Sequence, residues 1–137
     1  MQKSFSRSLA SLSSVYEFTE AALTAGRFAE AAKFPVHLAT EELFVNMVEY
    51  NPETSTDIDM QIDVVDAVAT ITMSEYGVPE FDVTKPRDVN IDAPLDERSP
   101  GGLGLHLIQK MVDNLTYEYC DGRSTISFSK QSGHPNV

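Results

Sequence analysis

The sequence predicts an α+β two-layer sandwich, a mixed and mostly antiparallel sheet with helices packed on one face. Three observations carry that prediction. Apolar residues recur at helical spacing in the first third and again from Gly101 to Asn114. Between these stretches the period changes to two, with Ile58, Met60, Ile62 and Val64 alternating with Asp57, Asp59, Gln61 and Asp63. Near the end, Asp121-Gly122 sits between two short alternating runs, a hairpin signal.

The elements follow in order. Lys3 to Leu9 is short, polar and alternating, which predicts an edge strand. Leu12, Val15, Tyr16, Phe18, Ala22 and Leu23 give Ser11–Ala32 a helical apolar side, with Gly26 as the residue to end or interrupt it. A second helix is predicted from about Pro35 to Tyr50, with proline tolerated in its first turn and Asn51-Pro52 closing it. Ile58 to Val64 is a strand with one wet face, and Asp66-Ala67 turns it into Val68 to Met73. That second strand is apolar on both sides in the sequence, so it is expected to be central. The stretch from about 83 to 100 holds Pro86, Pro94 and Pro100 among many charges, without periodicity. A loop of that length suits a lid. A helix over Gly101 to Asn114 would bury Leu103, Leu107, Ile108, Met111 and Val112, and Leu115–Tyr119 with Thr125–Phe128 would close the sheet.

Composition bounds the function. The chain has 137 residues, 42% of them hydrophobic, enough for one core, so residues 1–137 are read as a single domain. Ten basic residues stand against 21 acidic ones, a formal charge of −11 that repels phosphate-rich surfaces, so neither direct nucleic-acid nor membrane binding is expected. Cys120 is the single cysteine, no apolar run approaches the ~20 residues of a membrane span, and no signal-type block follows the N-terminus. A cytoplasmic protein is expected. His37 (helix surface), His106 (packing in a first helical turn) and His134 (polar tail) share no metal-ligand spacing, and Cys120 is read as a packed strand residue.

Three patches could carry chemistry. Glu42 and Asn46 lie four apart, hence on one helix face, where a carboxylate can serve as a base and a carboxamide oxygen can bind a hard cation. An amphipathic helix can present such a pair by chance. Glu75-Tyr76-Gly77-Val78-Pro79, before Phe81-Asp82, offers an acid and a glycine turn at a strand end, able to accept from a base's exocyclic amine; an ordinary turn reads the same way. Gly101, Gly102, Leu103, Gly104 and Leu105 run into a helix, where free amides and the dipole suit phosphate, although a hinge also uses glycine. No Gly-Lys-Ser/Thr follows, so this is not the common phosphate loop.

Taken in order, the acid/amide helix, the acidic glycine turn, the long lid and the glycine-rich helix start resemble the Bergerat ATP-binding fold of gyrase and histidine-kinase ATPase domains. The run from Glu97 to Ile108, and Asp121-Gly122-Arg123 before an alternating strand, look like the anti-sigma factor serine/threonine kinases. The resemblance covers about Leu9 to Lys130. It implies ATP and Mg²⁺ as cofactors, with Glu42 as the general base toward a partner's serine and Asn46 as the Mg²⁺ ligand. It also implies Glu75 and Gly77 at the adenine, phosphate contacts from the amides of residues 101 to 105, and charge from Lys85 and Arg98 in the lid. The implied partners are an anti-sigma factor antagonist as protein substrate and a sigma factor or similar regulator, and a homodimer is compatible with it. The turn departs from the family's pattern: Glu75 stands where Asp is expected, and Glu80 is interposed between Pro79 and Phe81. That departure motivates an alternative, a catalytically silent, nucleotide-gated protein-binding module of the same fold. A gyrase-like ATPase module ranks third, because no transducer segment follows Val137.

Overall fold

The computed structural model describes residues 1–51, 54–80 and 102–132, with the side chains of residues 102–105 set aside. Eight elements follow in order: β1 (Gln2–Phe5), α1 (Leu12–Ala25), α2 (Lys33–Tyr50), β2 (Ile58–Val65), β3 (Val68–Tyr76), α3 (Gly102–Met111), β4 (Asp113–Cys120) and β5 (Arg123–Gln131). Short 3₁₀ turns at Leu9–Ser11 and Glu30–Ala32 lead into α1 and α2. The strands form one sheet in the order β1-β2-β3-β5-β4, and every pairing described is antiparallel. The expected two-layer sandwich is therefore present, with no parallel pair among the described strands.

The period-2 pattern decides which face is covered. Ile58, Met60 and Ile62 of β2, Ala69, Ile71 and Met73 of β3, and Ile126 and Phe128 of β5 all lie inside. They meet Val15 and Leu23 of α1, Val36, Leu43 and Phe44 of α2, and Ile108 of α3 in one core. The other face carries Thr70, Thr72, Thr125 and Ser127, all at least partly exposed. β3 is indeed the middle strand, but only one of its faces is covered. Its centrality comes from pairing on both edges, with β2 and β5.

Turn chemistry fixes the registers. Asp66 and Ala67 both take positive φ, at 51° and 64°, as do Asp121 and Gly122, at 50° and 81°. Those are two-residue turns whose twist matches the hairpins they join. β4, an edge strand, shifts register against β5 between Asp113 and Thr116, beside Asn114 at φ 52°.

Several boundaries differ from the sequence reading. α1 stops at Ala25 rather than running to Ala32, ended by the glycine the sequence offered for that role: Gly26 caps it and passes so close to Val64 that a Cβ there would collide with that side chain. The segment read as a strand to Leu9 pairs only as far as Phe5, and Ser8 then caps the 3₁₀ turn through its hydroxyl. α3 gives way to β4 at Asp113, and Leu107 is 54% exposed while Ile108 is buried, so the helix buries a narrower stripe than its spacing suggests. His37 is no surface residue: its Nε2 lies 2.9 Å from Glu20 and its ring stacks on Tyr16 at 4.1 Å. Glu20 also accepts from the buried Lys33 ammonium, at 2.8 Å, which donates to Glu30 at 2.7 Å as well, clasping α1 to α2. Cys120 is exposed rather than packed, because alternation along β4 turns it to the uncovered face. His106 is exposed too, on the outer side of α3.

Candidate functional site

α2 crosses the covered face of the sheet and, with the ends of β3, β4 and β5, encloses a cleft of about 400 Å³ including space open to solvent. Leu43, Met47, Pro79 and Ile126 give it apolar walls, while Asn46, Asn51, Glu75 and Ser124 place polar groups among them. An apolar slot with a few convergent polar groups is the usual form of a site for a small planar ligand.

The floor of the cleft is Glu75, the last inward-facing residue of β3, opposite Ser124 of β5. It is 5% exposed, and its Oε1 accepts from Arg7 Nη1 at 2.8 Å and from Asn51 Nδ2 at 3.4 Å. Burial pushes its carboxyl above the ordinary carboxylate range, opposed by those two hydrogen bonds. The turn beyond is held from three directions. Thr56 Oγ1 donates to the Tyr76 carbonyl at 2.7 Å, the Val78 amide donates to the Gly122 carbonyl at 3.2 Å, and Tyr119 donates to the Val78 carbonyl at 2.8 Å. Gly77 takes φ +68°, a left-handed conformation that glycine adopts without a Cβ penalty.

Asn46 comes down from α2 into the same cleft. It is 2% exposed, and neither Nδ2 nor Oδ1 has a hydrogen-bond partner. Glu42, one turn earlier, is half-buried and does not line the cleft. Burial, reinforced by the Glu49 charge, raises its pKa. α3 lies beside α2. Its first turn is Gly102, Leu103, Gly104 and Leu105, so the first-turn amides at this end have no partner within the helix. The cleft thus brings together Asn46 and Glu75, and the glycine-led helix start belongs to the helix that packs on α2. Lys85, Arg98, Gly101 and the lid expected over about 83–100 lie outside the described residues, as do Phe81, Asp82 and His134.

A family model for the histidine kinase-like ATPase domain matches residues 5–130. The chain belongs to that family. No curated protein matches it. As a histidine kinase-like ATPase domain it is an ATP-using fold, and the match takes in both Arg7 and Lys130.

The residues of this ATPase domain fit the metal that accompanies ATP. A buried carboxamide with both atoms unpartnered is costly, roughly 1–3 kcal/mol for each group left unmade, and a cation would relieve its oxygen. Among the described residues no three His, Cys, Asp or Glu side chains converge as metal ligands. Mg²⁺ keeps several waters and takes few protein oxygens beside substrate phosphates, so a site with a single side-chain oxygen is compatible with it. No helix among the described residues is long and apolar enough to cross a membrane.

Arg7 escaped the sequence reading. Its guanidinium, 4% exposed, donates to Glu75, to the Met47 carbonyl at 2.8 Å and to the Thr56 carbonyl at 3.2 Å. The only available signal was one basic residue in a strongly acidic chain.

Proposed function

We propose that this chain is an ATP-dependent serine/threonine protein kinase of the cytoplasm, acting on an anti-sigma factor antagonist and sequestering a sigma factor or similar regulator while that antagonist is scarce. The observation that carries the nucleotide part is Asn46, sealed from water with both polar atoms unbonded, in a cleft shared with Glu75. The kinase part rests on Glu42 standing one helical turn from it and on the resemblance of the run from Glu97 to Ile108 to that kinase family.

Mg-ATP supplies the γ-phosphoryl group and the charge neutralisation that transfer needs. The protein's share is positional. Glu75 would accept from the base, the amides at the start of α3 would hold phosphate oxygens, and Asn46 Oδ1 would be the metal ligand. Glu42 takes the proton of an incoming serine hydroxyl as its oxygen bonds to the γ-phosphorus and ADP leaves. Its raised pKa suits that role, because a carboxylate in a drier setting is a stronger base.

Incubating the chain with labelled Mg-ATP and a candidate antagonist domain tests the reading. Stable phosphoserine on the partner is expected, and E42A should keep nucleotide affinity while losing transfer by about 10²- to 10⁴-fold. Undiminished transfer by E42A removes Glu42 as the base. The altered turn, with Glu75 for aspartate and Glu80 interposed, favours one second reading, a nucleotide-gated binding module without transfer; calorimetry showing Mg-dependent ADP binding together with no phosphoserine would select it.

A further inference from the structure

We propose that Arg7 is the positioning residue for Glu75, holding its carboxylate in the one rotamer that leaves an acceptor oxygen for the nucleobase and so setting base selectivity; this rests on the nucleotide-binding reading above. Glu75 has one more rotatable bond than the aspartate its turn would otherwise hold, and an unrestrained glutamate has several rotamers to lose on binding. Arg7 removes that freedom. Its Nη1 reaches Oε1 at 2.8 Å, and its own position is set by the Met47 and Thr56 carbonyls at 2.8 and 3.2 Å. Asn51 Nδ2 approaches the same oxygen, at 3.4 Å. Both described hydrogen bonds therefore fall on Oε1, and a carboxylate has further acceptor sites on Oε2 to offer a ligand in the cleft.

Stability alone does not account for this pair. Arg7 and Glu75 side chains are 4% and 7% exposed, and Arg7 Nη2 is buried without a partner. Buried ion pairs are frequently no better than apolar replacements of similar volume, least of all when one donor is left unmade. What the arrangement provides is geometry. The same nitrogen that holds Glu75 also bonds the carbonyl of Met47, the residue after Asn46, so one guanidinium ties the base-reading carboxylate to the helix carrying the metal ligand.

A glutamine at position 75 makes the clamp visible. With Arg7 present, the amide oxygen must face the guanidinium, which turns its NH₂ toward the base. The site would then donate where it formerly accepted. Binding constants for Mg-ATP, Mg-inosine triphosphate and the Mg-triphosphate of purine riboside, which lacks the 6-amino group, report this directly. The unaltered chain should prefer ATP over the purine riboside analogue by about 10-fold or more, the value of one charge-assisted hydrogen bond. E75Q should reverse toward inosine triphosphate, whose 6-oxo group accepts. In R7M/E75Q, where no buried charge remains and the amide can turn either way, neither preference should survive, while the purine riboside analogue binds as before. R7M alone should bring the ATP preference to within about 3-fold of unity. Identical preferences in E75Q and R7M/E75Q, or full discrimination by R7M, would overturn the role of Arg7 and leave nucleotide binding standing. Absence of nucleotide binding by the unaltered chain would overturn both.

Discussion

A carboxamide shut away from water with neither end bonded destabilises the fold that holds it. Asn46 is in that state, so N46L, with the same branched skeleton and wholly apolar, should raise the ligand-free melting temperature by a few degrees, about 1 kcal/mol in a chain of this size, if the larger methyls are accommodated. The unaltered chain should gain melting temperature from ADP in an Mg-dependent way, and the same variant should lose that rise. Thermal unfolding with and without Mg-ADP reads both effects, and a drop in ligand-free stability with the nucleotide shift intact would make Asn46 structural. That Glu42 and Asn46 stand one turn apart on α2 was legible, because helical periodicity alone places residues four apart on one face; that only Asn46 lines the cleft was not. Glu75 and Gly77 were legible because strand ends and positive-φ turns have local signatures. Arg7 was not, since its three partners lie 40, 49 and 68 residues away in sequence and only the folded sheet brings them to it.

Between elements, the clasp joining α1 to α2 has a pH signature. Hydrogen bonds from Lys33 and His37 hold the Glu20 carboxyl down to about 2 from the usual 4.5. A depressed carboxylate contributes its stability fully above the unfolded value and loses it as pH falls through the folded one. The urea midpoint should therefore fall between pH 4.5 and about 2 with a slope that E20Q makes shallower, by a modest amount because Glu20 is 36% exposed and screened. The contact of α1's cap with β2 is purely steric. G26A drives a methyl into Val64 and should cost about 1–3 kcal/mol by denaturant titration. Both hairpins could be read from their turn residues, since Asp66-Ala67 and Asp121-Gly122 adopt the left-handed pairs such turns need. The end of α1 could be read from Gly26 as well, but the close approach that requires a glycine there could not, because Val64 lies far along the chain and on another strand. The sequence also makes β3 apolar on both sides, yet Thr70 and Thr72 face outward, and the threonine methyls conceal a polar face from a simple apolar count.

For the molecule as a whole, the formal charge of −11 opposes the approach of an anionic nucleotide. Raising salt from about 10 mM to about 150 mM shortens the screening length from about 30 Å to about 8 Å. The association rate for Mg-ADP in stopped-flow should therefore rise with salt. A falling rate would mean that basic groups near the cleft, rather than the acidic body, govern approach. The register shift between Asp113 and Thr116 bears on assembly. Among the described strands β4 is one of the two borders of the sheet, with β1 the other, and a border is where another chain could add a strand. The shift makes the start of the β4 edge irregular, and the exposed Asp113 and Glu118 place negative charge along it, which opposes a second, equally acidic copy. Lengthening the sheet by a second copy at β4 is thereby disfavoured.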